Sequence, residues 1–268
     1  MLSLIRTEWL KWNKHLIFRI VCAFYVILLP SVLLLGKKLP ELPPPVGTTE
    51  VMFIFPTVWG YLGYIGNWLC FFFFGFFAVI SITMEFNNRT LRQNVITGWS
   101  RQEVFLAKYG SIAALSLLAT AYYVACALVI GYTHTDVVYL SKVFQEGDIV
   151  FRYWLMSFSY MSFGLLIGFL VRRTVIAVFL YLIYIMILEP VLRWGVHRYF
   201  WEHPSMHFYP LNAVEDLVPA PLSPIAEQFA EKAGFDLFMS PFEAIITTSI
   251  YTSLFIFAVY SHLKKADL

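Results

Sequence analysis

Charged residues are scarce in this chain of 268 residues. Asp, Glu, Lys and Arg together make up only 13%, about half of the share that a soluble domain carries. Hydrophobic residues make up 59% and the mean hydropathy is +0.69. This composition excludes soluble domains and predicts one all-α integral membrane domain over residues 1–268. A net charge of +2 is too small to indicate a nucleic-acid partner.

The sequence also lacks the usual motifs of disulfide-linked, nucleotide-binding and zinc-binding proteins. Cys22, Cys70 and Cys126 all lie in apolar runs, which excludes a disulfide framework. There is no GxxxxGK[ST] phosphate loop and no HExxH zinc motif. His203 and His207 have metal-ligand spacing, but Pro204 lies between them and a third ligand is missing, so interfacial histidines are the better interpretation. We therefore expect no enzyme activity, no metal site and no cofactor bound by this chain.

Six long apolar runs predict six membrane-spanning helices, because about 20 consecutive apolar residues cross a bilayer. The predicted spans are Leu16–Gly36, the run after Pro56 up to Met84, Leu106–Tyr132, Tyr153–Val171, Thr174–Trp194 and Pro241–His262. Residues 39–45 (LPELPPP) predict an extended, stiff connector between the first two spans.

Residues 1–15 have the pattern of a helix lying in the membrane surface. An apolar stripe runs along one side and three basic residues lie off it, which suits anionic headgroups on one face and interfacial tryptophans on the other. The stripe consists of Leu2, Ile5, Trp9, Trp12 and Leu16, and the basic residues are Arg6, Lys11 and Lys14.

A polar elbow, residues 86–105, separates the second and third spans. Leu91, Val95 and Trp99 recur at helical spacing, whereas Arg89 and Arg92 lie on another face. This pattern predicts a short amphipathic helix that ends near Gly98. Ser100 to Glu103 then has the spacing of a capping box, which predicts the start of a new helix. An elbow of this shape suits either docking to a partner or an ordinary solvated loop.

The basic residues predict the orientation of the spans. If the N-terminus is cytoplasmic, 12 of the 19 lysines and arginines lie on the inner side, and this bias sets topology. We therefore expect both termini in the cytoplasm. The inner residues are Arg6, Lys11, Lys14, Arg19, Arg89, Arg92, Arg101, Lys108, Arg172, Arg173, Lys264 and Lys265.

Residues 195–240 form a second polar stretch, on the outer side. They are rich in proline and aromatic residues, which predicts short outer helices rather than a folded domain. One is expected at Asn212–Leu217 and another after Ser223-Pro224, with Ile225 and Phe229 on one face. Glu189 is an acid inside an apolar run. We expect Glu189, Ile225 and Phe229 to line a pathway or its outer gate, although Glu189 lies close enough to the outer surface simply to reach water.

The elbow carries a family resemblance. Glu85, Thr90-Leu91, Ser100-Arg101 and Lys108 resemble the segment after the second span in permease subunits of ABC-2 type transporters. In that family the segment reads Glu, then Gly-Thr-Leu, then Pro-x-Ser-Arg, then Gly-Lys. Here Arg89 takes the place of the glycine, Gly98 lies near the expected proline, and Ala107 precedes Lys108.

The resemblance implies that the chain is a half-transporter without a catalytic motif of its own. The elbow would be the coupling helix that sits in a groove of a separate ABC ATPase, which binds ATP and Mg²⁺. Arg89, Leu91, Arg92, Val95 and Trp99 would make that contact. A second permease subunit, identical or paralogous, would complete an exporter in the bacterial inner membrane, in contact with its lipid. The alternative is an accessory membrane anchor or scaffold without transport activity.

Overall fold

The computed structural model describes residues 2–38, 49–201, 203–221, 228, 230–232, 234 and 236–265. Within these residues the regular structure is helical throughout. Six helices are long and apolar enough to cross a membrane, which confirms the predicted count. The helices are α1 (Leu2–Lys14), α2 (Leu16–Leu35), α3 (Val58–Asn87), α4 (Thr90–Ile96), α5 (Arg101–His134), α6 (Asp148–Val171), α7 (Thr174–Trp201), α8 (Pro210–Glu215) and α9 (Pro241–Lys265). The spans are α2, α3, α5, α6, α7 and α9. The predicted connector 39–45 lies outside the described residues.

Helix α7 extends beyond its predicted end at Trp194 and continues to Trp201. Two π-helical stretches, Tyr184–Leu188 and Val191–His197, lie on either side of Glu189 and Pro190. Proline has no N–H for the helical ladder, and the wider π turns let the chain continue around it. The first part of the predicted outer segment 195–240 is therefore the end of a span.

Helix α6 lies at the centre of the bundle and is packed closely against α3. A Cβ on Gly164 would lie 2.5 Å from the carbonyl oxygen of Gly75, and one on Gly168 would lie 2.3 Å from Ile82 Cγ2. Small residues four apart let two backbones approach, which is how membrane helices gain contact without a hydrophobic driving force. The Gly164–Gly168 pair therefore sets the spacing of the two central helices.

Buried tyrosines hold the spans together with hydrogen bonds. Tyr25 on α2 donates to the carbonyl of Ala119 at 3.0 Å and shares a 2.7 Å hydrogen bond with the hydroxyl of Tyr153. Tyr181 on α7 donates to the carbonyl of Phe71 at 3.1 Å, inside the π-helical stretch Cys70–Gly75 of α3. Helix irregularities leave backbone carbonyls free within lipid, and such side chains satisfy them.

The apolar stripe of α1 packs largely against the protein. Trp12 is buried and meets Phe77 edge-on at 5.0 Å, and Trp9 meets Phe18 at 5.5 Å. Leu16, the last member of the predicted stripe, is instead exposed on α2. Amphipathicity alone did not distinguish a face turned to lipid from a face turned to the bundle, since both are apolar.

Candidate functional site: the elbow, the inner charge cluster and the outer latch

The elbow is built from two tight local structures. Arg89 precedes α4 with φ +57°, and Gly98 follows it with φ +104°. Ser100 then accepts from the backbone N–H of Glu103 at 3.2 Å, while Glu103 accepts from the backbone N–H of Ser100 at 2.8 Å. This confirms the predicted capping box and the end of the helix near Gly98. Arg89 stands where the resembled family has glycine, at a position whose left-handed backbone favours glycine.

The apolar side of α4 faces inward. Leu91 is 1% exposed, and Val95 and Trp99 are half-buried against the same core. Leu91 was expected to fill a partner's groove, but its side chain already belongs to this protein's own core. The exposed side of the elbow presents Arg89 and Arg92, as expected. It also presents Ile96, which is 74% exposed and which the sequence pattern did not single out.

A buried charge cluster lies beneath the elbow. Lys108 on α5 donates to Glu8 on α1 and, at 2.6 Å, to Glu85 on α3. Lys11 donates to Glu8 at 2.6 Å and approaches Glu85 at 3.4 Å. Lys108 and Glu8 are 2% and 1% exposed. We call these four residues the inner charge cluster; it joins three helices and contains equal numbers of acids and bases.

The charges in this cluster support one another. Burial works against ionisation of Glu8, but Lys108 and Lys11 outweigh it and hold the pKa of the Glu8 carboxyl below its usual value. Removing one member of a buried ion pair leaves an uncompensated charge, which typically costs about 3–5 kcal/mol. The cluster therefore ties α1, α3 and α5 into one unit next to α4.

The sequence pattern contained a signal for Glu8. This acid lies between Ile5 and Trp12 at spacings of three and four, on the apolar stripe of α1. A carboxylate on an apolar stripe needs a buried cation as its partner. Which cation could not be inferred, because Lys108 is 100 residues away in the sequence.

Two arginines, Arg101 and Arg172, bind the inner end of helix α9. Arg101, at the start of α5, donates to the carbonyls of Leu263 and Lys264 at 3.1 and 2.7 Å. These are carbonyls of the last turn of α9, where a positive charge also suits the helix dipole. Arg172 sits with φ +60° in the turn between α6 and α7, 3.2 Å from Nε2 of His262.

At the opposite end of the bundle, Glu189 holds the outer helix α8 in place. Its carboxylate accepts the backbone N–H groups of Leu211 at 3.2 Å and Asn212 at 2.5 Å. The first N–H groups of a helix have no partner within the helix, and a carboxylate supplies one. Glu189 is 4% exposed. It therefore acts as a latch between α7 and α8 and does not simply reach into water.

More buried polar groups extend this outer latch. Arg193 donates to Asn212 Oδ1 and, at 3.0 Å, to His207 Nδ1. Asp216 accepts from Asn212 Nδ2 and from the N–H of Met239, both at 3.1 Å. Burial lowers the pKa of His207 to about 4 and raises the pKa of Asp216 to about 7. The outer latch comprises Glu189, Arg193, His207, Asn212 and Asp216.

The stretch around α8 is packed over the outer ends of the spans. Asn67 Nδ2 on α3 donates to the carbonyls of Glu215 and Val218 at 3.2 and 3.3 Å, and Arg152 on α6 donates to that of Leu217 at 2.9 Å. The buried apolar residues of this stretch are Leu211, Ala213, Val214, Leu217 and Val218. A short helix was predicted at Asn212–Leu217 and lies at Pro210–Glu215. The expected gate residues Ile225 and Phe229 lie outside the described residues.

Comparison with known proteins identifies the family. The family model for ABC-2 family transporter protein matches residues 4–188, from α1 to the middle of α7. The matched region contains the elbow and the whole inner charge cluster, and it stops just before Glu189. No curated protein matches the chain. The match covers more than half of the sequence, and the chain belongs to the ABC-2 transporter family as a multi-pass membrane permease component, which works with an ABC ATPase subunit.

Proposed function

We propose that the chain couples ATP hydrolysis by a separate ABC ATPase subunit to the export of a substrate, with the elbow as the docking site. The observation that carries this proposal is the asymmetry of α4. One face is fixed in the core through Leu91, and the other presents Ile96 at 74% exposure beside Arg92. A large exposed apolar side chain next to a positive charge suits an interface with an apolar centre and an acidic rim.

The inner charge cluster gives this docking site a mechanical connection. Glu85 directly precedes the elbow and Lys108 lies in the second turn after the capping box, and both bind in the same cluster as Glu8. A push on α4 would therefore move α1, α3 and α5 together. ATP and Mg²⁺ would be bound by the ATPase. A second permease subunit, identical or paralogous, would complete the pathway, and the substrate would move outwards, the direction that the family resemblance implies.

The proposed orientation places the elbow and both termini in the cytoplasm of a bacterial cell, with the chain in the inner membrane. Its support is the charge on the elbow side, where Arg89, Arg92 and Lys14 are exposed. Basic residues are retained on the cytoplasmic side of membrane proteins. The outer latch would then face away from the cytoplasm and, with Ile225 and Phe229, close the exit of the pathway near Glu189.

The docking proposal is tested by reconstitution with an ABC ATPase. The full chain is purified with a candidate ABC ATPase encoded beside it, and both complex recovery and permease-stimulated ATP hydrolysis are measured. Ile96→Ala is expected to weaken binding at least about tenfold, since truncating a central interface residue costs ~2 kcal/mol. Leu140→Ala is the matched control, because Leu140 is 73% exposed beyond the other end of α5.

The outcomes distinguish the two functions. Loss of stimulation in Ile96→Ala, with Leu140→Ala unchanged, supports docking at the elbow. Equal effects of the two substitutions would exclude α4 as the docking element. A chain that binds the ATPase without altering its hydrolysis rate would instead be an accessory anchor or scaffold.

A further inference from the structure

A pocket lies between the end of α1 and the inner end of α3, on the elbow side of the molecule. It encloses about 180 Å³. Its position next to the junction of α1 and α2 places it at the level of the lipid headgroups if α2 and α3 cross the membrane.

The pocket has an apolar part and a polar part. Ile17, Phe77 and Ile80 form apolar wall, whereas Lys11 and His15 contribute polar groups. The apolar part of the pocket leads through Ile17 to the exposed face of α2, where Leu16 and Ile20 are 65% and 44% exposed. A cavity that is polar at headgroup level and continuous with a lipid-facing surface fits an amphiphile better than a water-soluble ligand.

One wall residue has an unsatisfied acceptor. Glu85 is 8% exposed, and its Oε1 receives both Lys108 and Lys11. Its other oxygen, Oε2, is buried and has no hydrogen-bond partner among the described residues. Buried carboxylate oxygens are normally hydrogen-bonded, so an unpaired one on a pocket-lining residue indicates a donor that the described residues do not supply.

The charges around the pocket restrict the ligand further. The inner charge cluster is already balanced, so an anionic headgroup would add a net negative charge to it. A zwitterionic headgroup adds no net charge. Lys11 is 31% exposed and His15 is exposed, and both would contact a phosphate. A primary ammonium would donate to Glu85 Oε2, whereas a trimethylammonium group has no N–H to give.

From these observations we infer that the pocket binds a phospholipid with a primary-ammonium headgroup, taken from the leaflet on the elbow side. The ammonium lies at Glu85, the phosphate lies between Lys11 and His15, and an acyl chain runs along Phe77 and Ile80 towards the exposed face of α2. The bound lipid completes the hydrogen bonding of the inner charge cluster and fills the space beside the elbow.

Lipid retention tests this inference without requiring transport activity. The full chain is purified in detergent, exchanged into an equimolar mixture of phosphatidylethanolamine, phosphatidylcholine and phosphatidylglycerol, and examined by native mass spectrometry. We expect phosphatidylethanolamine to be retained at least about fivefold over each of the others. Equal retention of phosphatidylcholine would overturn the role of the ammonium donors, and preferential retention of phosphatidylglycerol would overturn the zwitterionic headgroup.

A matched pair of substitutions locates the site. Ser81 lines the pocket, and its hydroxyl donates within its own helix to the carbonyl of Ala78 at 2.9 Å. Ser81→Trp fills the pocket and should abolish the preference. Ser253→Trp is the control, because Ser253 is an exposed serine with the same kind of bond, to Ser249 at 2.7 Å on α9. If Ser81→Trp prevents folding, Ile17→Trp obstructs the pocket from its exposed side. Undiminished preference in the folded pocket variant would overturn the site.

Discussion

At the scale of single residues, the inner charge cluster depends on each charge having its partners. Lys108→Met leaves Glu8 and Glu85 facing each other in a buried place, with only Lys11 to compensate. We expect this substitution to lower the free energy of unfolding by about 3–5 kcal/mol. Thermal unfolding in detergent would show it as a lower midpoint.

Two further variants separate charge imbalance from loss of packing. Lys11→Met should have a smaller effect, because Lys11 is 31% exposed and solvent screens its charge. The triple variant Glu8→Gln, Glu85→Gln, Lys108→Met removes the buried charges together and should recover most of the stability. If the triple variant is as unstable as Lys108→Met, the side-chain packing of the lysine matters and its charge does not.

Arg89 carries a backbone cost that the resembled family avoids with glycine. A non-glycine residue in the left-handed region costs roughly 1–2 kcal/mol, and Arg89 has φ +57°. Arg89→Gly should therefore stabilise the start of α4 and slow amide hydrogen exchange across Thr90–Ile96. Arg92→Gly removes the same charge from inside the helix and should speed exchange by a similar factor, since glycine there costs about 1 kcal/mol. Faster exchange in both variants would contradict this account.

At the scale of elements, the sequence predicted where helices begin and end, but it did not predict which distant segments pack against them. The capping box of Ser100 and Glu103, and the end of α4 at Gly98, depend on residues within a few positions and were predicted correctly. The direction of the apolar face of α4 could not be inferred in this way, because Leu91 belongs to a core assembled from distant helices. The same limit applies to Glu189, whose partners at Leu211 and Asn212 come from a later segment.

The outer latch contains a buried acid with a testable pH dependence. Burial raises the pKa of Asp216 from 3.8 to about 7, so the folded state favours the protonated acid. Stability contributed by Asp216 is present below about pH 4 and is lost as the pH rises through 7. The charged groups that act on Asp216 are Arg193 on α7 and Glu215 on α8, and Arg193 also binds His207 in the adjoining segment.

Asp216→Asn should therefore protect the outer segment increasingly as the pH rises. A pKa raised from 3.8 to about 7 corresponds to a stability difference of at most about 4 kcal/mol at neutral pH, and to no difference near pH 4. Amide hydrogen exchange of residues 207–217, compared between variant and parent at each pH, measures this. His207→Gln should show the opposite trend, a relative gain as the pH falls from 6.5 towards 4, because burial lowers the pKa of His207 to about 4. A pH-independent difference for Asp216→Asn would show that Asp216 is ionised throughout.

At the scale of the whole molecule, the sequence predicted the number of spans because each span is a long, nearly continuous apolar run. The contacts that join the spans could not be predicted in the same way. The close contact at Gly164 and the hydrogen bonds of Tyr25 and Tyr181 involve residues that look like ordinary membrane sequence, and only the packed bundle brings their partners near. Polar groups then gather at the two ends, in the inner charge cluster and the outer latch.

This two-ended arrangement makes a topology prediction. Helix α5 runs unbroken from Arg101 to His134, a length of about 50 Å at 1.5 Å per residue, so the elbow and Lys142 lie on opposite sides of any bilayer that α5 crosses. The end of α9 is fixed to the elbow side, because Arg101 binds the carbonyls of Leu263 and Lys264. Compartment-sensitive reporters fused after Lys142 and after Lys265 should therefore give opposite signals. With basic residues retained inside, the reporter after Lys265 should be the cytoplasmic one. Identical signals from the two fusions would contradict the six-span arrangement, and a reversed pair would place the elbow on the wrong side for a cytoplasmic ATPase.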